Sequence, residues 1–361
     1  MTPVPEMTPR ARVFASLAGD PVDRPPIINP SSAITVELMD LVDARFPDAS
    51  REPELIARLA STGHTELGFD SVIPYFTLVM ESAALGCKVQ WEGKENWPTV
   101  VMTEPIWDRF EDVHIPGDFL EHPSIQAILR ATEILRRELP DVSIIGRTNG
   151  PWTIAYNTFG VQQFLTMSAD DPDTTMRILH KLKEVSVLFG EAQIAAGADI
   201  LLYPDHATGD LVSGEYYKRF LMDIHAEMAG RLPVPLVLHI CGYTMDRMDY
   251  IAQTGMAGFH FESKNNAQKS MDLVDGRMRM IGNVNNVTTM FARGPAEVRA
   301  EVYAGLDAGL DMIAPEGSVP LQTRLENILE IPRAVNDWMA SHPDNIYARG
   351  RNGSANGTAS T

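Results

Sequence analysis

The sequence predicts a single (β/α)8 barrel of the TIM-barrel class, with an inserted β-hairpin and a disordered C-terminal tail. Three observations predict it. Short apolar runs recur eight times along the chain, and in the second half each alternates with a segment of helical apolar spacing. The chain has 361 residues and is 44% hydrophobic, enough for one barrel with insertions and no second core. No Gly-x-Gly-x-x-Gly or phosphate-loop motif follows any run, which disfavours an open nucleotide-binding sheet.

Each element has its own signal. Residues 1–9 read as a flexible N-terminus, 10–341 as the barrel and 342–361 as the tail, which turns rich in Gly, Ser, Asn and Thr from 348. Residues 10–17 read as a short helix and 27–29 as the first strand. Helical spacing covers 36–46 and 53–61, with Pro53 at a helix start. The second strand is 71–73. Residues 87–91 and 99–103 read as the hairpin, around the turn Glu92-Gly93-Lys94. From 124 the alternation is regular. Strands at 143–148, 198–203, 234–238, 258–261, 279–282 and 310–314 are interleaved with helices at 124–138, 162–167, 171–195, 215–231, 245–254, 295–307 and 323–340.

Composition narrows the function. The net charge of −18, spread along the chain, supplies no basic stripe for nucleic acid. No apolar run approaches a membrane span, and the N-terminus lacks the apolar core of a signal peptide. Two cysteines, Cys87 and Cys241, make no disulfide framework and suit a reducing compartment, so a cytoplasmic protein is expected.

In a β/α barrel the chemistry lies where strands run into their following loops. The predicted strand ends bring Asn149, Asp205, His206, His239, Cys241, Glu262, Asn283 and Glu316 to one rim. A single polar residue after a strand is usually a turn or cap residue, and about half of these are expected to be structural. His239 and Cys241 stand out. At i and i+2 on a strand they point to the same side, so imidazole and thiolate could face one ion. The plainer reading is a buried cysteine beside a packed histidine.

Leu238-His239-Ile240-Cys241-Gly242 resembles the uroporphyrinogen decarboxylase superfamily on its corrinoid methyltransferase branch. Further segments agree from about residue 10 to 337: Gly68-Phe69-Asp70-Ser71-Val72 with Glu81 and Ala84-Leu85-Gly86, Asn149-Gly150-Pro151, Ile281-Gly282-Asn283-Val284, and Ala314-Pro315 with Leu325-Glu326-Asn327-Ile328. The resemblance implies a TIM barrel that transfers methyl groups from a corrinoid, with zinc held by His-x-Cys and a distant Cys. Two departures matter. The stretch at Arg24-Pro25-Pro26 lacks the further arginine with which the decarboxylases grip porphyrinogen carboxylates, so porphyrinogen decarboxylation is not expected. After Ala314-Pro315 the chain reads Glu316-Gly317-Ser318, with no third cysteine. Zinc would then rest on His239, Cys241 and at best Glu316.

That loss points to a different acceptor. The resemblance to branch members that act in bacterial demethylation of glycine betaine and related compounds implies tetrahydrofolate, held by carboxylate and amide side chains such as Asp205, Asn149, Asn283 and Glu81, whose N5 amine needs no zinc, with methylcobalamin or a separate corrinoid protein as methyl donor. Asp205, Asn149 and Asn283 are the expected catalytic residues. Glu81, His206, Glu262 and Glu316 are expected to bind substrate. The alternatives are a zinc-dependent transferase with a thiol acceptor, a demethylase working toward the corrinoid, and a barrel that only binds corrinoid or folate. The oligomeric state stays open, a homodimer included.

Overall fold

The computed structural model describes residues 4–91, 93 and 95–351. Seven parallel strands form a sheet in the order β1-β4-β5-β6-β7-β8-β9: β1 (Ser71–Val72), β4 (Ser143–Arg147), β5 (Ile200–Pro204), β6 (Leu236–His239), β7 (Gly258–His260), β8 (Arg279–Val284) and β9 (Met312–Pro315). The eighth position is filled by an extended segment around Ile27. Ile28 N–H donates to Ile313 (3.0 Å), Ile313 N–H donates to Pro26 (2.9 Å), and on the other side Asp70 N–H donates to Ile27 (2.7 Å). The barrel therefore closes with the eight runs the sequence marks. The hairpin is also present, as antiparallel β2 (Val89–Gln90) and β3 (Thr99–Val100). Of its expected turn, Glu92 and Lys94 lie outside the described residues.

The period of two in a strand divides the core into two layers. Ile28, Ile73, Ile145, Ile200, Leu202, Val237, Ile281, Met312 and Ala314 point inward and pack on one another in the lumen. Their neighbours Ile144, Leu201, Tyr203, Leu238, Phe259, Met280 and Ile313 point outward into the helical layer. Val13, on the helix Pro9–Ala18, packs on the lumen cluster at the N-terminal end. The lumen is thus apolar at its base, and the next inward positions along each strand stand at the C-terminal mouth.

The helices follow the expected pattern with instructive differences. The segment 215–231 splits into Gly214–Phe220 and Met222–Arg231, and 36–46 is α-helical only over Val36–Leu41. Pro151–Phe159 is a helix the sequence reading lacks. All nine of its residues are buried, so it carries no polar face and no amphipathic period to detect. Pro151 stands at its start, where a missing N–H costs nothing.

Described residues near both ends make contacts with the barrel. Met7 N–H donates to Asp23 (2.9 Å). Part of the segment 342–351 makes contacts with the barrel. Tyr347 is buried, its hydroxyl donates to Leu310 O (2.8 Å), and Arg351 Nε donates to Asp311 (2.6 Å). Residues 352–361 of the expected tail lie outside the described residues. Among the described residues no helix is long and apolar enough to cross a membrane.

Candidate active site

The mouth is built by continuing each inward row one or two steps past the lumen core. Val237 leads to His239 and Cys241, Gly258 to His260 and Glu262, Ile281 to Asn283, Ala314 to Glu316, and Ile145 to Arg147. His239 Nδ1 lies 3.0 Å from the carbonyl of His260 and donates to it, which leaves the Nε2 lone pair facing Cys241 Sγ at 3.2 Å. The His239 and His260 rings lie 4.6 Å apart. Burial, then the neighbouring His260, holds His239 well below the usual imidazole range, so it is neutral. Burial also holds His260 down to about 4. Burial, then Glu262, pushes the Cys241 thiol up to about 12, against the opposing charge of Arg147. Cys241 is therefore a thiol at neutral pH and a poor nucleophile.

Glu316 arrives at the same mouth but is already engaged. Its Oε2 accepts from Ser263 N–H (2.6 Å) and its Oε1 from Asn286 N–H (3.3 Å). It knits the loops after β7 and β8 to β9. Among the described residues no group of three His, Cys, Asp or Glu side chains is arranged to hold a metal ion. Of the expected set, His239 and Cys241 converge, while Glu316 is engaged by two backbone amides.

Three other expected residues are engaged in internal hydrogen bonds. Asp205 falls one position off the inward row of Leu202 and Pro204, so its carboxylate enters the wall. Its Oδ1 accepts from Thr153 N–H (2.8 Å), and its Oδ2 lies 3.1 Å from His225 Nε2, with neither residue exposed. It clasps the helix Pro151–Phe159 to β5, and no carboxylate edge is left for a ligand. Asn149 and Glu81 bind each other: Asn149 N–H donates to Oε1 (2.8 Å) and Nδ2–H to Oε2 (3.0 Å), while the Tyr75 hydroxyl also donates to Oε2. Burial raises Glu81 to about 6, and these donors oppose the rise. Asn283 donates to Asn265 O (3.3 Å) and remains partly exposed at the mouth. His206 does line the cavity, on the inward row, and burial lowers it to about 4.

A cavity of about 330 Å³ opens beside these residues. Hairpin residues Thr99 and Val100, with Trp97 and Met102, wall one side, and Arg147, His206, Thr77 and Tyr156 the other. A larger groove of about 540 Å³ near Arg51 and Trp91 holds none of the strand-end residues. Arg147 is the functional candidate absent from the sequence reading. It follows Ile145 by two, at the last position of β4, but both parities of that strand are apolar, so the sequence does not mark it as facing the mouth. The Arg24 of the sequence comparison instead pairs with Asp70 (2.7 Å) at the opposite end of the barrel.

The family model for uroporphyrinogen decarboxylase (URO-D) matches residues 8–338. A methylcobamide:CoM methyltransferase, MtaA of Methanosarcina barkeri (strain Fusaro / DSM 804), is 31% identical over 338 residues, covering 93% of this chain and 99% of the relative. A methylated-thiol–coenzyme M methyltransferase of Methanosarcina mazei is 28% identical, over 95% of this chain and 93% of the relative. Among solved structures, a methyltransferase from Methanosarcina mazei superposes with a TM-score of 0.89 at 31% identity, covering 92% of this chain and 99% of that one.

Proposed function

The chain belongs to the uroporphyrinogen decarboxylase family, on its corrinoid-dependent methyltransferase branch, and from that membership we propose that it moves a methyl group from a methylated corrinoid on a separate protein to a small thiol. The observation that carries the reading is the His239–Cys241 pair facing the barrel mouth, in a chain that matches MtaA almost end to end. The thiol replaces the tetrahydrofolate acceptor expected from the sequence. Of the four residues with pterin-holding chemistry, Asp205, Asn149 and Glu81 are committed to internal hydrogen bonds.

In the transfer, the thiolate sulfur attacks the methyl carbon in line. The S–C bond forms, the Co–C bond breaks with its electron pair remaining on cobalt, and the thiol proton has passed to water beforehand. This chain's residues bind and orient. Cys241 stays protonated and does not compete for the methyl group. The neutral imidazoles of His239, His260 and His206 surround the path without adding charge. Exposed apolar side chains on the mouth loops, Leu211, Tyr243, Val287 and Phe291, supply a surface for the corrinoid protein. The test supplies methylcobalamin with a small thiol and with tetrahydrofolate in parallel and follows loss of the Co–C bond by absorbance. Turnover with the thiol is expected; turnover with tetrahydrofolate alone would sink the reading.

A further inference from the structure

Arg147 presents a problem of physical chemistry. It is 3% exposed. A guanidinium carries five N–H donors and keeps its charge in proteins, so burying it is costly unless those donors are used. Here Nε and Nη1 are enclosed with no hydrogen-bond partner among the described residues. The titratable groups that act on it are Tyr75, Glu81 and Cys241. Tyr75 offers its ring, with the centroid 5.7 Å from the guanidinium carbon. Glu81 spends its oxygens on Asn149 and the Tyr75 hydroxyl, and Cys241 is a protonated thiol. None of the three supplies a free anion.

The surroundings decide which anion suits it. Arg147 lines the 330 Å³ cavity together with Thr77, whose buried Oγ1 also has no partner among the described residues. Much of the remaining wall is apolar, Phe76, Val79 and Val100 included, and the polar groups of Thr153 and Asn157 are spent on hydrogen bonds within the wall. Among the described residues no carboxylate lines the cavity, and its histidine, His206, is held neutral by burial. Cys241 stands differently. Burial, then Glu262 and Glu316, keep it a thiol against the opposing charge of Arg147. A sulfur seated in the cavity meets the cation without either carboxylate on the wall beside it. Burial favours the protonated form there too, but a thiolate and the buried guanidinium each give the other a partner. In an apolar wall that attraction is weakly screened, and a thiol next to a cation loses its proton more readily.

We propose that Arg147, with the Thr77 hydroxyl as second donor, holds the acceptor sulfur as a thiolate and is a catalytic residue of the transfer. The proposal rests on the thiol-acceptor reading and adds how the thiol is activated. The thiol gives its proton to solvent on binding. Its sulfur then forms the S–C bond while the Co–C bond breaks and leaves its electron pair on cobalt. The product is an uncharged thioether that no longer pairs with Arg147, which favours its release. Activation of this kind has a limit, because a thiolate becomes less nucleophilic as its pKa falls. On a logarithmic scale about half of the gain in thiolate fraction is lost in this way. At neutral pH, where the free thiol is almost wholly protonated, the net effect is still an acceleration.

Binding of 2-mercaptoethanol to the full chain tests this without methyl transfer and with no acidic group on the probe. Calorimetry at pH 7 in two buffers of different ionisation heat counts the protons released. The wild type is expected to release about one proton per thiol bound, and ethylene glycol, which does not ionise, none. Arg147→Met should bind the thiol protonated, so that release falls to a small fraction. Arg147→Lys should keep the release, and Thr77→Val should lower it in part. If Arg147→Met does not fold, Arg147→Gln carries the comparison. The pH profile of kcat, with methylcobalamin as donor, gives a second readout. Its acid limb should lie about one unit or more below the free thiol's pKa, a tenfold gain in thiolate, and return toward it in Arg147→Met. Wild-type binding without proton release, or release that Arg147→Met leaves intact, would overturn the proposal, as would release that chelation abolishes. Release that depends on Arg147, with no Co–C bond loss for any thiol, would leave the thiolate site standing and remove the functional reading instead.

Discussion

Replacing Asp205 separates a structural clasp from a ligand anchor. In Asp205→Ala, Thr153 N–H loses its 2.8 Å acceptor and His225 Nε2 its 3.1 Å partner, both in the interior. An unsatisfied buried donor costs about 1–3 kcal/mol, so two give about 2–6 kcal/mol, with a small cavity adding to it. Asp205→Asn is gentler. Its carbonyl can still accept from Thr153, and its amide can donate to His225 Nε2 if the histidine moves its proton to Nδ1 and donates to the Tyr217 hydroxyl, 2.9 Å away. That exchange should cost about 1–2 kcal/mol. The clasp also explains Gly150, where an added Cβ would lie 2.3 Å from Asp205 Cγ. Equilibrium unfolding in urea gives the stabilities, and calorimetry on the folded variants gives acceptor affinity. Both variants should lose stability in that order, with Asp205→Asn binding acceptor like wild type. Undiminished stability in Asp205→Asn together with an acceptor affinity weakened tenfold or more would refute the clasp and restore the anchor.

Further outcomes follow from the same geometry. Glu81 is raised from 4.5 to about 6, so between those values the folded chain holds a proton that the unfolded chain has released. Stability from this group is therefore present below about pH 4.5 and declines by about 2 kcal/mol as pH rises through 6, a slope that Glu81→Gln should remove from urea midpoints measured across that range. His206 works in the other sense. Its lowered pKa means that the unfolded chain takes up a proton first as pH falls from 6.5 toward 4, so stability should fall in acid, and less in His206→Asn. Because no group of three metal-ligating side chains forms around His239 and Cys241 among the described residues, transfer should survive extensive chelation, and Cys241→Ser should lower it only a few-fold; stoichiometric zinc in the purified protein, with activity lost on its removal, would contradict this. Phe291→Glu, on the exposed rim, should slow methyl transfer from the corrinoid protein while leaving transfer from free methylcobalamin unchanged.

Much of this molecule is written in local pattern. Eight apolar runs at strand length, spaced by helical segments, specify a closed barrel, because a parallel strand buried on both faces needs a continuous apolar run. The same pattern puts polar residues at the mouth, and His239 with Cys241 was legible as a pair because the period of two holds within a single strand. What the run does not state is which of its two parities faces the lumen. Both faces of these strands are apolar, Ile144 as much as Ile145 and Leu201 as much as Leu202, so no local signal separates them. Only closure of the barrel assigns the parity. That assignment sends Asp205 into the wall and His206 into the cavity, and it makes Arg147, the last residue of its strand, a mouth residue. Tertiary structure likewise decides that Glu316 reaches the amides of Ser263 and Asn286, brought from two other loops, before it can reach a metal. The sequence determined which chemistry arrives at the mouth, and the packing of eight strands around one axis determined which of those groups remain free to use it.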